Sequence, residues 1–87
     1  VIPLQVAGAF HTEYMAPAVA ALREAASQTV GADPLRTIWT NRDGSAVTTG
    51  RAFIDLLVEQ VASPVRWDLC MTSFAAAGVT GLIELTP

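Results

Sequence analysis

The spacing of apolar and polar positions changes several times along the chain, and each change predicts an element. Val1 to Val6 is short, apolar and β-prone, and the small residues Ala7-Gly8-Ala9 behind it let another backbone or a ligand come close. The pattern predicts a strand ending just before His11. Met15, Val19, Leu22 and Ala26 then recur at helical spacing, Pro17 sits where a helix start tolerates it, and Thr12 is placed to cap the first turn. This predicts a helix ending near Gly31. Asp33-Pro34 marks a turn, because a residue before proline is pushed out of the helical region, and the branched and aromatic residues of Leu35 to Thr40 predict a second strand.

Asn41-Arg42-Asp43-Gly44 is turn chemistry in which Gly44 can take a positive φ, and Ala46-Val47-Thr48 is placed to pair briefly beyond it. From Gly50 to Ala62 the residues Phe53, Ile54, Leu57, Val58 and Val61 form a broad helical face. Arg51, Asp55 and Glu59 lie four apart on the other side, as a solvated row. Ser63-Pro64 predicts a further helix start, with serine as cap and proline at the first helical position. Trp67, Cys70, Phe74 and Ala77 follow on one stripe, Gly78 suits the left-handed residue after a helix end, and Val79 to Leu85 predicts a closing strand. The order β-α-β-(turn)-α-α-β predicts parallel pairing in an α/β layer structure, most of whose sheet must come from outside these residues.

Composition sharpens this picture. Over 87 residues, 52% are hydrophobic and only 15% charged, with a mean hydropathy of +0.43. That is too apolar for a lone small domain, which leaves a large share of its surface in water, and it excludes disorder. Charged residues interrupt each apolar run before about 18 residues accumulate, so no membrane span is expected. Five arginines, no lysine and eight acidic residues give a net charge of -3. The arginines are scattered, so the basic stripe that nucleic acid needs is missing. Cys70 has no partner for an internal disulfide, and nothing around His11 has metal-ligand spacing. These features predict a reducing, cytoplasmic setting. The N-terminal VIPLQV lacks the charged start and long apolar run of a secretory signal, and the chain reads as if it begins in mid-protein.

His11, the only imidazole, stands where a strand runs into a loop, a usual place for reactive groups in α/β proteins. Taken alone it reads first as a structural histidine, capping or hydrogen-bonded within the fold. None of Ser27, Ser45, Ser63 or Ser73 lies in a G-x-S-x-G elbow, so a nucleophilic mechanism requires its nucleophile from elsewhere. Cys70 reads as a small buried hydrophobe, and Trp39 and Trp67 as packing anchors. Glu13, Asp43, Asp55 and Asp68 show no paired-carboxylate spacing and fit turn, salt-bridge or helix-end roles.

Several motifs in a fixed order carry more information than any one residue. Gly8-Ala9-Phe10-His11-Thr12, with Met15-Ala16-Pro17 after it, is followed by Asn41-Arg42-Asp43-Gly44 with Val47, then Leu57-Val58-Glu59-Gln60. Ser63-Pro64-Val65-Arg66-Trp67-Asp68 comes next, and Ala77-Gly78-Val79-Thr80 leads into Glu84-Leu85. In this order they closely resemble the malonyl-CoA:acyl carrier protein transacylases, and the likeness spans essentially the whole chain.

The resemblance implies a C-terminal-half fragment of an enzyme with an α/β-hydrolase-like three-layer core of parallel strands and an inserted ferredoxin-like subdomain. Residues 1–6 would be the tail of that insert and residues 7–87 part of the large subdomain. His11 matches the family's catalytic histidine, and Gln60 matches the position whose main-chain carbonyl receives the histidine's hydrogen bond. Phe10 matches the site at which, in related polyketide domains, phenylalanine goes with malonyl and serine with methylmalonyl substrates. The implied reaction moves malonyl from coenzyme A to the phosphopantetheine thiol of acyl carrier protein through a serine ester. It uses malonyl-CoA as substrate, releases coenzyme A as product, and needs no metal or redox cofactor. The serine, the carboxylate-gripping arginine and the oxyanion donors would belong to a complementary N-terminal part, without which the chain is expected to be inactive. An acyltransferase domain of a multidomain synthase and a non-catalytic remnant are the alternatives.

Overall fold

The structure is a computed structural model that describes residues 1–86. A single 3-10 turn, Glu13–Met15, leads directly into helix α1, Ala16–Ser27, with Pro17 near its start, where the missing N–H costs nothing. A two-stranded antiparallel hairpin follows, β1 at Ile38–Trp39 and β2 at Ala46–Val47, in the register Ile38 opposite Val47 and Trp39 opposite Ala46. Helix α2 covers Gly50–Gln60 and helix α3 covers Trp67–Ala76.

The hairpin turn closes as its residues dictate. Thr40 N–H donates to the Ser45 carbonyl at 2.9 Å and Gly44 N–H to the Thr40 carbonyl at 2.9 Å. Asp43 Oδ1 accepts from both the backbone and the hydroxyl of Ser45. Those two bonds hold the Asp43 carboxyl below the usual carboxylate range. Gly44 takes φ +74°. A Cβ there would also lie 2.6 Å from the Leu69 carbonyl, so this turn packs directly against α3.

Helix α3 lies over the hairpin. Cys70 is the most buried side chain, at 1% exposure, and its thiol faces the Thr40 carbonyl. Ser73 Oγ donates to the Gly44 carbonyl at 2.6 Å. Phe74 meets Trp39 and Trp67 edge-on, with ring centroids 5.0 and 5.7 Å away. On the other side α1 packs against α2, with Leu22, Ala25 and Ala26 facing Ile54, Leu57 and Val58 across an apolar groove. Arg23 of α1 reaches Glu59 of α2 at 3.8 Å, and Arg51 pairs with Asp55 at 3.0 Å along α2.

Four expectations need correction. Val1–Val6 and Val79–Leu85 are not strands, and the only sheet among the described residues is the antiparallel hairpin. The physical reason is pairing: a strand exists only against a neighbour, and among the described residues no other strand pairs with either segment. Helix α1 stops at Ser27, and Gly31 serves close approach instead, because Gly50 packs on its carbonyl with no room for a Cβ. Thr12 caps nothing with its side chain, since its hydroxyl donates to the Ala9 carbonyl. The third helix begins at Trp67, not at Ser63-Pro64, because Arg66 N–H is captured by the Asn41 carbonyl at 2.7 Å and Arg66 leaves the helical region, at φ -97° and ψ 65°.

The apolar excess is visible as surface. Val1, Ile2, Leu4, Leu82, Ile83 and Leu85 are exposed. The radius of gyration is 14.5 Å, against about 12 Å for a compact chain of this length. The accessible surface is 6969 Å², roughly 2,000 Å² above that of a compact monomer of this mass. Such an excess is the size of a large protein interface.

Candidate active site

Helix α2 is the element on which the site is built. Its start is capped twice: Thr49 Oγ1 accepts from Ala52 N–H at 3.2 Å, and Asp33 Oδ1 accepts from Gly50 N–H at 2.9 Å. The Gly31–Gly50 approach brings the Asp33 loop to that point. A helix ends with carbonyls that lack helical partners. In α2 the carbonyls of Gln60 and Val61 turn to the loop that carries His11.

His11 is bound to this helix end by two bonds. Its backbone N–H donates to the Val61 carbonyl at 3.0 Å, and its ring Nδ1 lies 2.8 Å from the Gln60 carbonyl oxygen. A carbonyl only accepts, so the proton sits on Nδ1 and the lone pair on Nε2. His11 is also the only non-glycine residue with positive φ among the described residues, at +64°. That conformation costs on the order of 1–2 kcal/mol and persists only where surrounding contacts hold it, which is characteristic of functional positions. Here the holding contacts are the two carbonyls at the end of α2.

Phe10, half exposed, precedes the histidine, and its ring lies over Gly8, where a Cβ would come within 3.3 Å. Of the three residues singled out in the sequence, His11 and Gln60 are in direct contact between the loop and the helix end, and Phe10 precedes the histidine on that loop. His11 is exposed at the surface of the chain. Among the described residues no group of three or more His, Cys, Asp or Glu could hold a metal ion. No described helix is long and apolar enough to cross a membrane.

Two parts of the site escaped the sequence. The Val61 carbonyl and the Asp33 cap act across 50 and 17 positions, and no local pattern marks either. The remaining ionisable groups have structural surroundings. Arg66 grips Asp68 with two bonds, at 2.9 and 2.7 Å, and so lowers the Asp68 carboxyl below its usual range. Cys70 is buried away from the histidine loop as a core residue.

No family model matches the chain. Its sequence is 49% identical over 84 residues to the malonyl CoA-acyl carrier protein transacylase of Mycobacterium tuberculosis, an alignment covering 97% of this chain and 28% of that protein. The crystal structure of MCAT from Mycobacterium tuberculosis superposes with a TM-score of 0.79 and 51% identity, over 84% of this chain and 24% of the other. That of an acyl-carrier-protein S-malonyltransferase from Burkholderia pseudomallei gives 0.81 and 37%, over 91% and 26%. The chain thus spans less than a third of the length of these relatives, and it is homologous to one segment of them in sequence and in α/β fold.

Proposed function

We propose that this chain is the histidine-bearing segment of a malonyl-CoA:acyl carrier protein transacylase of fatty-acid synthesis. The observation that carries the reading is the His11–Gln60 bond, which leaves Nε2 as a base whose ring is held by a neutral acceptor. The remainder of the enzyme would supply the serine nucleophile and cover the exposed apolar segments. Residues 1–6 would close a ferredoxin-like subdomain, and the rest would pack into a hydrolase-like core of parallel strands.

In the complete enzyme Nε2 of His11 takes the serine hydroxyl proton as the oxygen attacks the thioester carbonyl of malonyl-CoA. The resulting imidazolium gives that proton to the departing coenzyme A thiolate, leaving a malonyl-serine ester. The phosphopantetheine thiol of acyl carrier protein then enters, His11 takes its proton, and collapse of the second tetrahedral intermediate returns the proton to the serine oxygen. The carbonyl end of α2 offers partial negative charge to the transient imidazolium, in place of a triad carboxylate. A thiolate leaves easily, so full charge compensation is not needed.

Phe10 beside the histidine would favour malonyl by crowding a methyl group on the acyl α-carbon. The reading is tested by malonyl transfer with the 87-residue chain alone and with a complementary N-terminal segment added. Activity only in the mixture is expected, and transfer by the chain alone would require a different mechanism.

A further inference from the structure

We propose that the side-chain carboxamide of Gln60, separately from its backbone carbonyl, is the positioning group that holds His11; this rests on reading His11 as the proton-transfer residue. Gln60 Nε2 donates to the Ser63 carbonyl at 3.0 Å and to the Pro64 carbonyl at 3.1 Å. Both partners are carbonyls, which can only accept, so the amide has one orientation, nitrogen toward the turn. The Gln60 backbone oxygen accepts from Ser63 N–H at 3.1 Å on one side and faces His11 Nδ1 at 2.8 Å on the other. One residue therefore closes the 60–64 turn by main chain and side chain together while also receiving the imidazole.

This staple matters because of where it sits. Both bonds from His11 to α2 end on carbonyls of the helix terminus, the part of a helix that frays first. The Ser63 and Pro64 carbonyls are the ones that the Trp67 and Asp68 N–H groups would take if α3 were extended backward by a turn. The carboxamide occupies both. It keeps 63–66 out of the helix, leaves Arg66 N–H to the Asn41 carbonyl, and ties the end of α2 to the hairpin. Without it the Gln60 and Val61 carbonyls lose their fixed direction, the positive φ of His11 loses its support, and Nδ1 no longer has a unique acceptor.

The test uses Gln60→Met in the complete enzyme, since methionine keeps the length of the side chain and lacks both donors. With 15N-labelled histidine, the neutral ring of His11 in the unaltered enzyme should be the Nδ1–H tautomer, and in Gln60→Met a mixture with Nε2–H. The turnover number should fall roughly tenfold or more while KM for malonyl-CoA stays within about twofold, as expected for lost orientation. An unchanged tautomer overturns the proposal, whether or not the rate falls, because a rate loss alone would mean ordinary destabilisation. An unchanged rate with an altered tautomer overturns it too. If the variant does not fold, the unaltered enzyme still decides: the Gln60 side-chain amide protons should exchange slowly, and exchange at the rate of a free amide ends the idea. His11→Ala separates the two claims. Full activity in that variant would defeat the catalytic reading, whereas inactivity there beside a Gln60→Met enzyme that is normal in rate and tautomer would defeat only the staple.

Discussion

The ring Nδ1 of His11 lies 2.8 Å from the main-chain oxygen of Gln60, 49 positions away along the chain. Because the acceptor is backbone, a substitution at position 60 leaves the oxygen in place and acts only on its direction, so the histidine itself is the direct point of attack. His11→Ala in the complete enzyme should lower the turnover number by about three orders of magnitude or more, since both half-reactions lose their proton carrier. Steady-state transfer of malonyl from coenzyme A to carrier protein measures this, and a loss of only a few fold would refute the role.

Phe10 immediately precedes His11 on the loop. Phe10→Ser should let methylmalonyl-CoA compete better, by a factor within the roughly 10- to 200-fold that one methyl is worth when selection rests on fit. The ratio of kcat/KM for the two acyl donors is the readout. A ratio equal to that of the unaltered enzyme would show that the ring only packs over Gly8.

Gly44→Ala should destabilise the hairpin and α3 together. The residue has φ +74°, and an added Cβ would meet the Leu69 carbonyl at 2.6 Å. The conformational part alone costs about 1–2 kcal/mol, and the collision adds to it, so the melting temperature should drop by several degrees. A melt matching that of the unaltered protein would mean that α3 shifts freely over the turn.

The Arg66–Asp68 pair predicts a particular pH dependence. Arg66 lowers the Asp68 carboxyl in the folded state, so the unfolded chain binds that proton more readily. The pair's contribution is therefore fully present above the ordinary Asp range and is lost as pH falls below about 4. Asp68→Asn should lower the melting temperature slightly at neutral pH and converge with the unaltered protein below about pH 4, the difference being small because the pair is solvent-exposed. A large loss at neutral pH would contradict this.

Loss of the Asp33 carboxylate should weaken the start of α2. Asp33→Ala removes the acceptor of Gly50 N–H, and a lost helix cap typically costs about 1 kcal/mol. Amide hydrogen exchange at Gly50 should quicken; protection equal to that of the unaltered protein would show that Thr49 suffices as the cap.

How much of this was legible in the chain follows from the range of the forces involved. The helical faces of α1 and α2, the Asn41–Gly44 turn, the left-handed Gly78 at φ +77° and the burial of Cys70 rest on local spacing and side-chain chemistry, and all were readable. Phe10, His11 and Gln60 were readable as candidates through motif order, because residue types and their sequence are preserved even where no contact is visible.

What only the tertiary structure decided involves partners far apart in the chain. The strand-like runs Val1–Val6 and Val79–Leu85 have the right residues for β structure, yet backbone pairing requires a neighbouring strand, and none of the described residues supplies one. Ser63-Pro64 carries a helix-start signal, yet the Gln60 carboxamide and the Asn41 carbonyl take the groups that a helix there would use. The left-handed backbone of His11 and the choice of Nδ1 as its protonated nitrogen likewise follow from where α2 ends. Spacing along the sequence determines which face a residue occupies, whereas the direction of a single hydrogen bond is settled only when two distant segments meet.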